Sequence, residues 1–320
     1  MSDEPVAPEQ AIRSGNRAAI ARAISRIEKG DAADELLERI SAFARPAYRI
    51  GITGPPGAGK STLTNHLIRG LCAVNATVAV LAVDPSSPFS NGALLGDRLR
   101  MNEIAGDPGV FIRSLATRGA LGGLSAAVAD SATLLDAAGF DYVIIETVGV
   151  GQSEFDIIQV SDTTVVVLTP ESGDEVQIAK AGLLEVADLF VLNKDDRAGS
   201  DAFHAALVAM LDLQRKSKAA NRWSPVIVRT VAEQGRGVEA LLASIARHRG
   251  FQEAGGQSAQ RRRLRLRQRV LQLVPGIISQ RLWTPARLES LQRTLDASDG
   301  TGISVRALAR ALADDFMADA

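Results

Sequence analysis

The sequence predicts an α/β fold with a doubly wound, mainly parallel sheet and helical extensions at both ends. Apolar segments that are continuous rather than alternating recur between helical segments from about residue 47 to 250, as expected of parallel strands covered on both faces. The segment Gly54–Ser61 matches G-x-x-x-x-G-K-[ST] completely, with an apolar strand before it and a helical pattern after it. That context predicts the P-loop nucleoside triphosphatase fold.

The predicted strands follow one another with helices between them. A short further strand is expected at Val110–Ile112. The main strands are Arg49–Thr53, Thr77–Val83, Tyr142–Glu146, Thr164–Thr169, Leu189–Asn193 and Val226–Thr230.

Three regions are expected along the 320 residues. Residues 1–46 form a helical extension, in which Ile20, Ile24 and Ile27 share one helix face. Residues 47–250 form the nucleotide-binding domain, and residues 251–320 form a helical arm for dimerisation or partner binding. The basic, leucine-rich segment 261–274 of this arm has no stacking aromatics, which favours a packed helix over a nucleic-acid site.

Composition excludes several classes of protein. The net charge of −1 gives no reason to expect nucleic-acid binding, and the single cysteine, Cys72, cannot form an internal disulfide. No apolar run approaches the ~20 residues of a membrane span. The acidic start of the chain lacks the pattern of a signal peptide. We therefore expect a cytoplasmic protein that binds neither nucleic acid nor membrane.

The P-loop is expected to hold the phosphates of a nucleotide. Backbone N–H groups of such a loop surround a phosphate, Lys60 reaches the β- and γ-phosphates, and the Ser61 hydroxyl ligates Mg²⁺. The predicted phosphate-binding residues are Gly54, Pro55, Pro56, Gly57, Ala58, Gly59, Lys60, Ser61 and Thr62.

A second motif predicts the base. Asn193, Lys194 and Asp196 match N-K-x-D at the end of a strand. A carboxylate at the fourth position accepts two hydrogen bonds from guanine, and adenine lacks both donors, so the ligand is expected to be GTP or GDP. A later strand ends in Thr230, Val231 and Ala232, which are expected to border the base.

Acids at strand ends predict a magnesium site. Asp84 and Glu146 each end an apolar strand, and Asp97 follows in a separate motif. Because buried carboxylates are costly unless they are paired or bound to metal, these three acids and Ser61 are the candidate Mg²⁺ ligands, with a helix N-cap as the alternative for each acid. Gly149 is expected to contact the γ-phosphate, within a candidate switch segment, Thr147–Glu154.

For hydrolysis we expect Lys60 and Mg²⁺ to neutralise charge, and Glu146 or a neighbouring switch group to organise water. Gln152 is either a water-positioning group or part of the switch. Arg113 and Arg118 are either solvated or partner-facing, or they stabilise charge when a partner binds.

Longer motifs resemble the MeaB/ArgK/MMAA GTPases. They are the segments 83–88, 95–101, 111–124, 146–154 and 173–177, together with Arg17–Ile24. The resemblance covers about residues 12–250. It implies a GTPase that gates cofactor loading into an adenosylcobalamin-dependent acyl-CoA mutase, protects or reactivates that mutase, and forms homodimers through its C-terminal helices. The chain departs from the family pattern at Ala93, Glu171 and Asp195.

Three alternatives stay open. A P-loop kinase would transfer phosphate to a metabolite or a transport protein. A metal-insertion GTPase would need ligands that His66, His204 and His248 do not supply as a close cluster in the sequence. An interaction scaffold would act without nucleotide.

Overall fold

The computed structural model describes residues 7–30, 33–85, 104, 106–117, 126–147, 157–171, 187–215, 223–297 and 304–319. The chain divides into two compact units, Met1–Ser258 and Ala259–Ala320. Within the described ranges, none of the helices combines the length and the apolar character that a membrane crossing needs.

A seven-stranded sheet forms the centre of the first unit. Its order is β3-β2-β4-β1-β5-β6-β7, and every pairing is parallel. This confirms the predicted doubly wound fold. The strands are β1 Tyr48–Thr53, β2 Val78–Pro85, β3 Val110–Thr117, β4 Tyr142–Thr147, β5 Thr163–Leu168, β6 Leu189–Leu192 and β7 Val226–Arg229.

Helices cover both faces of this sheet. Successive strand residues point to opposite faces, so Leu81 and Ile145 join one apolar cluster, whereas Val80 and Ile144 join the other. The helices of the first unit are α1 Pro8–Arg13, α2 Arg17–Lys29, α3 Ala33–Ser41, α4 Lys60–Cys72, α5 Ala126–Ala137, α6 Ser200–Arg215 and α7 Val238–Ala254.

The N-terminal helices belong to the core of the first unit. Ile20, Ile24 and Ile27 of α2 are buried, and they lie in one apolar cluster with residues of α5 and of strands β2 to β4. A polar link joins the same helix to β3, because Arg113 donates to Glu28 at 2.6 Å. The helical extension therefore packs as part of the sheet's covering layer.

Strand β3 is longer than predicted. It continues from Ile112 to Thr117, because eight of its residues pair in register with β2, from Val78↔Val110 to Pro85↔Thr117. Polar residues inside this stretch concealed the strand in the sequence, since an edge strand need not be apolar on both faces.

A buried polar network lies at the amino ends of the strands. His248 of α7 is fully buried, and its Nδ1 is 2.8 Å from the hydroxyl oxygen of Thr163, the first residue of β5. The Tyr48 hydroxyl lies 2.5 Å from the same Thr163 oxygen, and burial raises the pKa of Tyr48. His248 Nε2 lies 3.3 Å from Asp188 and 3.2 Å from Gln252. Both nitrogens of the His248 ring therefore have polar neighbours away from water.

The second unit is helical. Its helices are α8 Gln257–Leu282, of which the first two residues belong to the first unit, α9 Pro285–Asp296 and α10 Val305–Asp319. Helix α8 continues through Pro275, which costs it one internal hydrogen bond. Large apolar side chains on α8 are exposed within the single chain, among them Leu266 at 66% and Leu271 at 60%.

Candidate nucleotide-binding site

The P-loop joins the end of β1 to the start of α4. Gly54 has φ 137° and Gly59 has φ 88°, values that L side chains rarely adopt. A Cβ atom at Gly54 would lie 2.0 Å from the carbonyl oxygen of Val167, and one at Gly59 would lie 2.3 Å from Nδ2 of Asn193. The loop therefore requires glycine at both positions, as the motif predicts.

The N-terminus of α4 lies directly at the end of this loop. Among the described residues, no side chain caps the helix at Gly59. The first N–H groups of a helix lack intrahelical acceptors and carry the positive end of the dipole. Pro56 and Gly57 of the loop are exposed. This combination suits an anion that approaches from solvent.

Lys60 lies across the loop. Its side chain is buried, and its Nζ donates to the carbonyl oxygens of Gly54 at 2.8 Å and Pro55 at 3.0 Å. The ammonium group is thus held against the loop, close to the N-terminus of α4.

Ser61 and Glu146 form an oxygen-donor pair. Ser61 Oγ donates to Glu146 Oε1 at 2.6 Å, and Thr64 Oγ1 donates to Glu146 Oε2 at 2.8 Å. Glu146 is 5% exposed at the end of β4. A hydroxyl beside a carboxylate is a donor set that suits Mg²⁺, which usually takes one or two carboxylates and keeps several waters. The pair therefore fits the predicted metal.

The side chain of Asp84, the residue Asp97 and most of the candidate switch segment fall outside what the structure describes. Asp84 is within β2, but its side chain is not among the described groups, and Asp97, Gly149 and Gln152 lie in undescribed segments. Within the described ranges, no three His, Cys, Asp or Glu side chains group as a metal site. The start of the candidate switch segment is described: Thr147 Oγ1 donates to Thr53 Oγ1 at 2.9 Å.

Asn193 joins three loops. Its Nδ2 donates to the carbonyl oxygen of Ala58 at 2.8 Å. Its Oδ1 accepts from the Ala232 amide at 2.9 Å and from the Thr230 hydroxyl at 3.0 Å. The side chain is 2% exposed. Asn193 therefore connects the phosphate loop after β1 with the loop after β7, which is a different task from direct contact with a base.

Lys194 and Asp196 lie on the outer side of the same loop. Lys194 has φ 58°, and its ammonium lies 3.6 Å from Glu171. Asp196 is exposed. Val231 and Ala232 are buried in the neighbouring loop. The structure thus brings the predicted phosphate and base residues together at the carboxyl ends of neighbouring strands, where ligands of open α/β sheets bind.

Asp195 is a residue that the sequence analysis did not assign to the site. Its carboxylate accepts from Ser200 at 2.6 Å and from Arg229 Nε at 2.5 Å. Burial raises the pKa of Asp195, but the hydrogen bonds from Ser200 and Arg229 and the charges of Arg229 and Arg236 outweigh it, so the net pKa is below its usual value. The sequence signal was an acid at the variable position of N-K-x-D, which has meaning only once Arg229 is known to be near.

Arg113 is engaged inside the first unit. Its guanidinium is paired with Glu28 and also donates to Ser25 at 3.0 Å, with the Arg113 side chain 25% exposed. It links α2 to β3, a structural role that neither sequence-based interpretation included. Arg118 lies outside the described residues.

The fold and the site together define a P-loop nucleoside triphosphatase. Comparison with known proteins narrows this class. The family model described as methylmalonyl Co-A mutase-associated GTPase MeaB matches residues 20–287. The chain belongs to the MeaB family and is a GTPase, which confirms the resemblance found in the sequence.

Individual relatives and a solved structure are similar to most of this chain. The GTPase ArgK of Escherichia coli is 37% identical over 78% of this chain and 77% of its own length. The mouse protein named methylmalonic aciduria type A homolog, mitochondrial, is 36% identical over 78% of this chain and 64% of its own length. A solved structure titled LAO/AO transport system kinase superposes with a TM-score of 0.67 at 26% identity, covering 97% of this chain and 96% of that one.

Proposed function

We propose that the chain hydrolyses GTP to GDP and phosphate and, by this cycle, acts as a chaperone for an adenosylcobalamin-dependent acyl-CoA mutase. In this role it gates cofactor loading and protects or reactivates the mutase. The observation that carries the nucleotide part is the Asn193 amide, which joins the phosphate loop and the base loop. The mutase part rests on the family's description as associated with methylmalonyl-CoA mutase.

The triphosphate is bound by the P-loop. The amides of the loop glycines and of the first turn of α4 receive the phosphate oxygens, and Lys60 exchanges its bonds to Gly54 and Pro55 for the β- and γ-phosphates. Catalysis of this kind consists mainly of alignment and charge neutralisation. Asp196 reads the two guanine N–H donors, and Lys194 and the loop at Thr230–Ala232 border the base.

Ser61 and Glu146 hold Mg²⁺, directly or through water, with Asp84 and Asp97 as further candidates. The ion supplies charge neutralisation on the phosphate oxygens when it is bound. Glu146, which is fixed by Ser61 and Thr64, also keeps its carboxylate oriented toward the loop. Gly149 and the segment Thr147–Glu154 respond to the γ-phosphate.

The helical arm is proposed to form the homodimer. Exposed apolar side chains on α8, such as Leu266, Val270 and Leu271, would be costly in a free monomer, because their burial is favourable by roughly 25 cal/mol per Å². Covering them against a second copy removes that cost.

An orthogonal-nucleotide experiment tests the proposal. Asp196→Asn exchanges an acceptor for a donor, so it should lose GTP hydrolysis and gain hydrolysis of xanthosine triphosphate, whose base carries a carbonyl in place of the guanine amine. Reactivation of the mutase should follow the same exchange: GTP supports the wild-type protein, and xanthosine triphosphate supports the variant. Reactivation that ignores the nucleotide would establish a scaffold instead.

A kinase is the second candidate, because the similar solved structure is that of a protein named LAO/AO transport system kinase. Radiolabelled γ-phosphate distinguishes the two. The label leaves as inorganic phosphate if the chain is a hydrolase, and it appears on an acceptor if the chain is a kinase. A clear preference for ATP would also contradict the proposed function.

A further inference from the structure

We propose that Asp195 is a positioning residue that sets the affinity for guanine nucleotides by locking the loop that carries Asp196 onto the strand and loop that follow it in the sheet. The inference rests on the proposed role of Asp196 as the guanine contact. Asp195 itself touches no nucleotide in this scheme. It acts through its neighbour.

The Asp195 carboxylate is bonded from two directions. Ser200 at the start of α6 donates to its Oδ1 at 2.6 Å, and Arg229 at the end of β7 donates to the same oxygen at 2.5 Å. Arg236 places its Nη2 3.7 Å from the other oxygen, Oδ2. The Asp195 side chain is 15% exposed. Charge-assisted bonds at partly buried positions are among the stronger polar contacts in proteins.

The main chain adds a further bond between the same two segments. The amide of Asp195 donates to the carbonyl oxygen of Thr230 at 3.1 Å. The loop after β7 closes on itself, because the Val231 amide donates to the Arg236 carbonyl oxygen at 3.0 Å. Only glycine fits at position 237, since a Cβ there would lie 2.2 Å from the Arg229 carbonyl oxygen. Asp195 is therefore attached to a loop that is closed by its own main-chain bond.

The attached loop needs such an anchor. Lys194 has a positive φ of 58°, an uncommon conformation for a residue with a side chain. Asp196, one residue beyond Asp195, is exposed. When only a fraction of molecules hold the binding conformation, the apparent Kd rises by the inverse of that fraction. Asp195 raises the fraction in which Asp196 faces the base.

The same arginine supplies a matched control. Arg229 also donates, through Nη2, to Asp201 at 2.6 Å, but the Asp201 side chain is 90% exposed and lies on α6 rather than on the base loop. Asp201→Asn therefore removes the same charge from the same arginine without releasing the base loop. Exposed ion pairs of this kind contribute little.

The experiment measures Kd and release rate of a fluorescent GDP analogue, and kcat for GTP, on the full chain. Asp195→Asn should weaken guanine-nucleotide binding by about tenfold through faster release, because the competent fraction falls. Its kcat at saturating GTP and its affinity for ATP should each change by less than about twofold, because the phosphate loop is untouched. Asp201→Asn should match the wild type on all counts. If Asp195→Asn folds poorly, Ser200→Ala serves in its place. It removes one hydrogen bond to Asp195, so it should weaken guanine-nucleotide binding by a smaller factor than the loss expected of Asp195→Asn.

Two results would overturn the inference. One is guanine affinity in Asp195→Asn equal to that of Asp201→Asn. The other is a similar loss of affinity for GTP and for ATP together with a lower melting temperature, which would indicate a general structural role. A wild-type protein that shows no preference for guanine would instead contradict the proposed function, so the two failures are distinguishable.

Discussion

The two ends of the parallel sheet carry polar clusters of opposite character. At the amino ends, His248 of α7 lies between Thr163 on one side of its ring and Asp188 on the other. At the carboxyl ends, Lys60 and Asn193 bond to main-chain groups of glycine-containing loops whose outer residues are exposed. Both clusters are buried, so burial alone does not distinguish a structural network from a binding site. What distinguishes them is whether the polar groups satisfy one another or fix a loop that faces solvent.

The largest expected effect is at the carboxyl end. Lys60→Ala should lower the GTP hydrolysis rate by about a hundredfold or more, because it removes a charged donor from the transferring phosphate. The melting temperature should change little, since the hydrogen bonds from Nζ to Gly54 and Pro55 lie within the loop itself and do not join it to another part of the sheet. Initial rates and thermal melts check both parts. A large fall in melting temperature would show that Lys60 belongs to the structural class.

The second effect is at the amino end and has the opposite pattern. His248→Ala should lower the free energy of unfolding by about 2–4 kcal/mol, because it leaves a cavity and orphans the buried partners of the ring. Its kcat/KM for GTP below the melting temperature should be unchanged. Denaturant unfolding measures the first quantity. His204→Ala, at a half-buried position on α6, is the control and should cost far less.

A carboxylate exchange compares the two ends directly. Glu146→Gln should raise the Mg²⁺ concentration for half-maximal hydrolysis by about tenfold, because the amide removes one acceptor and a negative charge beside Ser61. Asp141→Asn is the matched control, since Asp141 precedes β4 and bonds to Thr77 at the amino end. A magnesium titration in which both variants behave alike would remove Glu146 from the metal site.

The smallest effect is at the outer rim of the nucleotide end. Glu171 pairs with Arg197 and Lys194, and the hydrogen bond from Arg197 holds the pKa of Glu171 below its usual value. Its side chain is 51% exposed, so water and salt screen these pairs. Glu171→Ala should change GDP affinity by less than about twofold. A loss as large as that of Asp195→Asn would show that the rim and the inner bonds act as one unit.

The sequence predicted the sheet well because its strands are apolar on both faces. Arg49–Thr53 and Tyr142–Glu146 differ from the observed β1 and β4 by one residue at one end. The strand predicted at β3 was too short, because Arg113 and Ser114 break the apolar pattern. Long-range pairing with β2, which no local pattern contains, decides that strand.

The residues of the site were likewise predicted in part. The motifs around Lys60 and Asn193 named residues that the fold brings together, although the bonding partners of Asn193 could not be read from spacing. The roles of Asp195 and His248 could not be read from the sequence, because Arg229 and Thr163, which bond to them across the fold, are 34 and 85 positions away. The magnesium roles of Asp84 and Asp97 and the contact of Gly149 stay predictions.

The Asn193 amide also bears on how this chain tolerates change. Surface loops usually accept insertions and deletions as sequences diverge. Here one side chain spans the segments at Ala58, at Asn193 itself and at Thr230–Ala232. A residue added to any of them would displace the other two, so their lengths are coupled. Drift in chain length among relatives should therefore accumulate in other connections, away from this shared amide.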